Sequence, residues 1–319
     1  MCGLLGYLNK RGEANAPVGE ILYKMATGLC RRGPDSAGVA LYSAAPANRL
    51  KLRVKLGEQG DLHAEGRKLV ETVSRLIRVV ESETLAEYQR LVIEDLPVSG
   101  KAAAYGPELL EKTIEAVAPQ FEVVSLGRSL EIVKQVGSPE NLNATYPFRN
   151  FLGTHGIGHT RLSTESRVDL SHSQPFWAHG ILDLATVHNG HITNYHKLRR
   201  QYEQRGIRFY TENDSEIIGK YLADRLSEGL PLEEALKASL LDLDGSFCYL
   251  VATADRLAYV KDPFGFKPLL VVETEDFVAI ATEEVALRTW VDSRHEAREA
   301  GTSDLRIWQL SNQPMTVEA

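Results

Sequence analysis

Cysteine is scarce. The 319 residues hold three, Cys2, Cys30 and Cys248, an odd and widely spaced set that excludes a disulfide framework and leads us to expect a reducing, cytoplasmic setting. No apolar run is long enough to cross a bilayer, and the short apolar stretch before Lys10 and Arg11 does not make a signal peptide. Basic charge is not in excess either. The 36 Lys and Arg against 43 Asp and Glu leave a net charge of −7, which argues against nucleic acid or an anionic membrane as the main partner. Repeats, low-complexity tracts and flexible linkers are missing. The nine histidines come without an HExxH pattern or a cysteine pair, so no metal site is expected. Two phosphate-binding patterns fail by one glycine each. GTHGIGHT has Arg161 where the dinucleotide fingerprint needs its third glycine, and Ser99-Gly100-Lys101 lacks the first glycine of a phosphate loop.

What is present is a hydrophobic fraction of 43% over a chain long enough for two domains, or for one with a large insertion. Residues 3–8 read as a buried strand. Ile21, Leu22, Met25, Ala26 and Leu29 recur at helical spacing, and that helix must stop before Gly33-Pro34. Residues 36–42 return as a strand. The segment 50–136 has a different texture, alternating strands (LKLRVKL, YQRLVIED, FEVVSLG, LEIVKQV) with helical patterns at 65–80 and 108–118. This is the pattern of a small α/β subdomain of the split β-α-β kind, with Gly127-Arg128 turning its last two strands into a hairpin. From Gly153 onward short strands and turns resume, with helices over 215–227 and 232–240 and buried strands over 248–254 and 269–272.

Four loop-like segments are too polar and too Gly-rich for plain core: RRGPDSAG (31–38), GHTRLSTES (158–166), VHNGHITN (187–194) and TENDSE (211–216). Each has a bland reading. Asn189-Gly190 is first of all a turn, Arg161 a surface ion-pair residue, and Asp214-Ser215 a helix cap. Cys2 is more telling. A small second residue favours removal of Met1, which would leave one residue carrying both a thiol and a free α-amine. Together these segments supply what an amide-cleaving site built on an N-terminal thiol needs. Cys30 and Cys248 sit in apolar patterns and read as core, and Asp262-Pro263-Phe264-Gly265 as a structural turn.

MCG at the start, then RGPDSAG, GHTRLSTES, SQPF, HNGHITN, NDSE, KDPFGFKPL and ATEEVAL, occur in the order seen in class II glutamine amidotransferases, and the chain resembles that family over nearly all its length outside 50–136. The inserted segment, ending FEVVSLG-RSLEIVKQVG, is similar to the amidotransferase-like subunits of N-methylglutamate synthase and archaeal-type glutamate synthase. The resemblance implies an α/β fold, the four-layer α/β/β/α sandwich of N-terminal-nucleophile hydrolases, over residues 2–319, with the small α/β subdomain inserted at 50–136. It implies Cys2 as nucleophile, the Asn189 carboxamide and Gly190 N–H as oxyanion hole, Arg161 on the substrate α-carboxylate and Asp214 on its α-ammonium. Thr164 and the 31–35 loop would complete the pocket. Leu162 stands where several branches have an aromatic residue, and Glu165 where some have His or Asn. Glu165 therefore either tunes the pocket toward glutamate or an N-substituted glutamine, or faces solvent.

Such domains are normally fused to the synthase that consumes the ammonia, and this sequence leaves no room for one. The resemblance thus implies a glutaminase-type subunit of a hetero-oligomeric synthase, N-methylglutamate synthase or glutamate synthase-like. It would have no cofactor of its own, with flavin and iron–sulfur groups on its partner subunits. Two alternatives stand beside it. One is a non-catalytic subunit that senses glutamine, against which the complete set of site residues weighs. The other is an N-terminal-cysteine acylase of another amide, which would not need the Arg161/Asp214 pair.

Overall fold

The computed structural model describes residues 2–95, 106–163 and 167–311. Two antiparallel sheets face each other across an apolar core, each covered outside by helices, so the expected four-layer sandwich is present. The larger sheet runs in the order β15 (Arg298–Glu299), β13 (Leu270–Glu273), β14 (Phe277–Ala281), β1 (Gly3–Asn9), β8 (His155–Arg161), β2 (Ser36–Tyr42) and β7 (Leu130–Val136). Every residue of β1, β2 and β8 is buried, as strands covered on both faces must be.

The smaller sheet runs β16 (Leu305–Gln309), β12 (Arg256–Lys261), β11 (Gly245–Ala252), β10 (Ala185–Ile192) and β9 (Phe176–Trp177). Along β10, alternation turns Ala185 and Val187 toward the larger sheet. Helix α1 (Val18–Gly28) packs outside the larger sheet with α4 (Pro139–Thr145) and α8 (Glu284–Arg288), burying the Ile21, Leu22, Met25 and Ala26 stripe. Outside the smaller sheet lie α6 (Glu216–Ser227) and α7 (Leu232–Asp242), with α5 (Tyr195–Gln204) beside α6. Ile217, Ile218, Tyr221, Leu222 and Leu236 of that layer meet Phe247, Tyr249 and Val251 of β11.

The inserted unit is β3 (Arg49–Lys55), α2 (Leu62–Ser74), β4 (Val79–Leu85), β5 (Tyr88–Glu94), α3 (Pro107–Glu115) and β6 (Glu122–Gly127). Its sheet is antiparallel in the order β4-β5-β3-β6, the split β-α-β arrangement. The hairpin expected across Gly127-Arg128 does not form. β6 pairs with β3, whereas β7 pairs with β2, so the last strand of the segment 50–136 belongs to the larger sheet. Asp183 explains the split. Its buried carboxylate accepts the N–H groups of Arg128, Ser129 and Leu130 and the Ser129 hydroxyl at 2.8–3.0 Å, holding the chain as it passes between sheets. The helix expected over 65–80 ends at Ser74, and its tail becomes part of β4.

Candidate active site

Antiparallel pairing sets Gly3 opposite Thr160 and Ser36 opposite Arg161. Cys2, Arg161 and the loop 31–35 therefore meet at one end of the larger sheet. The loop crosses β8 at Gly33, where a Cβ would lie 2.4 Å from Thr160 O and 2.5 Å from Arg161 N, closer than any side chain tolerates. Asp35 then fixes the strand end: its N–H bonds Arg161 O at 2.9 Å and its carboxylate accepts Ser163 N at 2.7 Å. Arg161 is only 4% exposed, and donates to Arg167 O at 2.8 Å and to Ser163 Oγ at 3.3 Å.

Half-buried Cys2 places its Sγ 3.8 Å from Leu162 O, while Arg32 donates to the Cys2 carbonyl at 2.8 Å and pairs with Glu283. Burial pushes the Cys2 thiol up from its ordinary value. The Leu162 contact and the Arg161 and Arg32 guanidinium groups pull the other way without overcoming it. The group is thus a thiol that needs a base, not a standing thiolate.

Asn189 and Gly190 are not in a turn. They lie within β10, opposite Cys248 and Phe247, and Arg161 likewise closes a strand and not a loop. Composition reads these segments as loops because their residues are polar and small; burial makes strands of them. Asn189 shares with Val187 the face turned to the larger sheet, and its buried Nδ2 has no hydrogen-bond partner among the described residues. Gly190 has φ +141°, and a Cβ there would meet Ser246 O at 2.2 Å, so only glycine fits.

Alternation also orders the backbone. Both polar backbone groups of Phe247, opposite Gly190, bond to Asp262, which leaves Gly190 facing away from β11. On that free edge His188 N donates to Gln174 Oε1 at 2.6 Å and Ile192 N to Asp214 Oδ2 at 2.8 Å. By the same alternation the Gly190 N–H lies on that free edge.

Behind this edge lies a buried polar network. Gln174 Nε2 donates to His188 O at 3.1 Å and Ser215 Oγ at 3.0 Å, and Ser215 Oγ bonds His188 Nδ1 at 2.7 Å. Ser215 heads α6 without capping it, its hydroxyl being turned to His188. Asp214, one residue earlier, has Oδ1 3.8 Å from His188 Nδ1. His159 Nε2 reaches across from β8 to His188 O at 3.1 Å, which ties the two sheets together at the level of the site. Burial lowers both imidazoles, His159 to about 3, so they are neutral at physiological pH.

Cys2 and Arg161 thus stand together on one sheet, and Asn189, Gly190 and Asp214 together at the edge of the other, with His159 bridging them. Thr164 and Glu165 lie outside the described residues. Sequence reasoning missed Gln174, whose only signal was its place in SQPF, and passed over His159, His188 and Ser215. Cys248 is buried on β11 as core, Cys30 is half-buried just after α1, and Asp262 caps its own turn through Phe264 N and Gly265 N. Among the described residues no group of three His, Cys, Asp or Glu side chains is placed to hold a metal ion. No described helix is long and apolar enough to cross a membrane.

A family model described as a glutamine amidotransferase domain matches residues 159–289. A Methanothermobacter thermautotrophicus protein, provisionally named a glutamine amidotransferase, is 35% identical over 312 residues, 97% of this chain and 100% of its own. The glutamine amidotransferase-like protein GlxB of Rhizobium meliloti is 32% identical over 317 residues, covering 99% of this chain and 97% of GlxB. An amidophosphoribosyltransferase of Methanocaldococcus jannaschii is 34% identical over 164 residues, 51% of this chain and 35% of that protein. The solved glutamine phosphoribosylpyrophosphate amidotransferase of B. subtilis superposes with a TM-score of 0.60 at 19% identity, over 97% of this chain and 47% of its own, a likeness of fold. The chain spans about half the length of that structure.

Proposed function

The chain belongs to the class II glutamine amidotransferases, and from that premise we propose that it hydrolyses the side-chain amide of glutamine through Cys2. The observation that carries this reading is on β10: a buried Asn189 Nδ2 that has no hydrogen-bond partner among the described residues, followed in the same strand by Gly190, whose backbone faces away from β11. Buried polar groups are almost always bonded, so a buried donor left without a partner marks where an acceptor belongs. An amide carbonyl that becomes an oxyanion on attack is such an acceptor.

With Met1 removed, the α-amine of Cys2 takes the thiol proton; its pKa of about 7.7–8.0 against about 8.5 for a free thiol suits it to that task near neutrality. The thiolate adds to the amide carbon, and the oxyanion accepts hydrogen bonds from Asn189 Nδ2 and Gly190 N. Collapse breaks the carbon–nitrogen bond, the nitrogen leaves as ammonia with the proton held by the amine, and a thioester remains. Water cleaves the thioester to glutamate and restores the thiol. Arg161 holds the substrate α-carboxylate in a two-pronged grip and Asp214 its α-ammonium. This charge pair makes a free amino acid the substrate and favours glutamine over a general acylase role, while the complete set of Cys2, Arg161, Asn189, Gly190 and Asp214 favours hydrolysis over sensing.

The ammonia passes to a partner subunit of a synthase of the N-methylglutamate synthase or glutamate synthase kind, the flavin and iron–sulfur chemistry residing on the partners. Supporting this, the match covers 100% and 97% of the first two relatives, whereas the amidophosphoribosyltransferase continues well beyond its matched 35%. The test is ammonia release from glutamine by the purified chain, alone and with the chains that co-purify from its host. Weak release that rises several-fold in the complex is expected. No release in either state overturns the glutaminase reading, and equal release in both overturns activation by partners.

A further inference from the structure

His172 joins two segments that carry the substrate grips. It is 7% exposed, wedged between the chain that follows Arg161 and the loop that precedes Asp214. Its backbone N–H donates to Asp169 Oδ1 at 2.8 Å, and its ring Nδ1 lies 2.7 Å from the same oxygen. On the other side its Nε2 lies 3.2 Å from Glu212 Oε2, and its carbonyl accepts Asn213 Nδ2 at 3.3 Å. Arg167, two residues before Asp169, gives its own carbonyl to the Arg161 guanidinium at 2.8 Å. Glu212 and Asn213 are the two residues immediately before Asp214. One buried ring thus links the backing of the proposed α-carboxylate grip to the base of the proposed α-ammonium grip.

The ring's chemistry makes this link conditional. An ionised carboxylate only accepts hydrogen bonds, and a neutral imidazole has a single N–H to give. His172 faces a carboxylate on each nitrogen, so both contacts are hydrogen bonds only while the ring is an imidazolium. Its bond to the ring holds the Glu212 carboxyl below its ordinary value; burial would raise Asp169, and the His172 backbone and ring bring it below instead. Asp169 is the firmer partner, with two bonds and a side chain 23% exposed against 81% for Glu212. Loss of a ring proton therefore releases Glu212. Other charges stand further off. Lys55 of β3 and Lys134 of β7 act on Asp169, and Arg199 of α5 on Glu212, while Glu58 and Glu122 take the neighbouring Leu170 N–H and Ser171 hydroxyl.

We propose that His172 is a positioning residue for glutamine, a proton-dependent clasp that keeps the Arg161 and Asp214 grips at one spacing. It rests on the glutaminase reading above. Imidazole exchanges its proton in the neutral range, so the clasp loosens and glutamine binding weakens as pH rises.

The test is steady-state glutaminase kinetics of the whole chain between about pH 6 and 8, for the unsubstituted protein, Glu212→Gln and His172→Ala. A carboxamide both donates and accepts, so in Glu212→Gln it bonds the ring in either protonation state. Over this range KM for glutamine should climb about threefold more in the unsubstituted protein than in Glu212→Gln, the scale of an exposed ion pair. His172→Ala should hold KM at or above the alkaline value throughout, with a smaller change in kcat. A merely structural histidine would lower the melting temperature and leave the two KM profiles parallel. Turnover with parallel profiles overturns the proposal alone, and this comparison decides even where His172→Ala does not fold, because Glu212 lies at the surface. No turnover at any pH overturns the glutaminase reading, and the proposal with it.

Discussion

The side chain of Gln174 bonds both the N–H and the carbonyl of His188, standing in for a neighbouring strand just where β9 has run out. Its third bond goes to Ser215, so one buried carboxamide ties the residue before Asn189 to the residue after Asp214. Gln174 is therefore a positioning residue for both halves of the pocket. In Gln174→Glu a carboxylate would face the His188 carbonyl and lose both donors, and turnover should fall at least about tenfold near pH 8, equivalent to ~1.4 kcal/mol. Protonation restores one donor, so the variant's kcat should recover as pH falls while the unsubstituted enzyme's does not. Parallel kcat profiles for the two proteins would refute the assignment.

Cys2 should be the first residue of the active protein. Intact mass should show loss of one methionine, and a glutamine-analogue electrophile should add once, at Cys2. Cys2→Ser should lose nearly all turnover, because an alcohol is far less ionised than a thiol in the same buried setting. An active preparation that retains Met1 would eliminate the α-amine as base.

Arg161 and Asn189 should separate kinetically. Arg161→Lys loses the planar fork and should raise KM by about tenfold or more with a smaller change in kcat. Asn189→Ala removes a donor used only when the oxyanion forms, and should lower kcat by roughly 100-fold or more. The opposite split in steady-state kinetics would show that the two roles are interchanged.

Acid should destabilise the fold through its buried histidines. His155 is held at about 4 and His159 at about 3 by burial, and His188 is lowered for the same reason. Unfolded, each binds a proton below about 6.5. Below that pH the unfolded chain therefore carries more protons, so stability is fully present above about 6.5 and drains away as pH falls toward the folded values. From His155 and His159 the slope should approach two protons, about 2.7 kcal/mol per pH unit, with His188 adding in the same direction. Urea denaturation at pH 7, 6 and 5 would check this, and a flat profile between 6.5 and 5 would contradict it.

Much of this was legible because burial leaves a pattern. The run SAGVALY forms β2 over the residues expected, and Ile217, Ile218, Tyr221 and Leu222 mark α6 by their spacing. β4 was not legible, since VVESETL is mostly exposed and its strand is set by pairing with β5. Helix α5, YHKLRRQYEQ, buries only Tyr195 and Tyr202 and carries no apolar stripe to read. In the site, Cys2, Arg161, Asn189, Gly190 and Asp214 stood out through ordered motifs. Gln174, His188 and Ser215 did not, because their work is done by hydrogen bonds between segments that only the tertiary fold brings together.

The inserted unit interrupts what would otherwise be a plain hairpin. Tyr42 of β2 lies opposite Leu130 of β7, and Ser43 N still bonds Ser129 O at 3.1 Å. Roughly 90 residues now separate strands that a turn of about four could join, and closing so long a loop costs about 3 kcal/mol more. That cost disappears once the insert has folded and brought its own ends together. The order of assembly is thereby biased: once β6 is paired with β3, the insert acts as a template that delivers β7 to β2. The edge of the sheet carrying Arg161 is then completed late, and damage to the insert should appear first as slow refolding of its host.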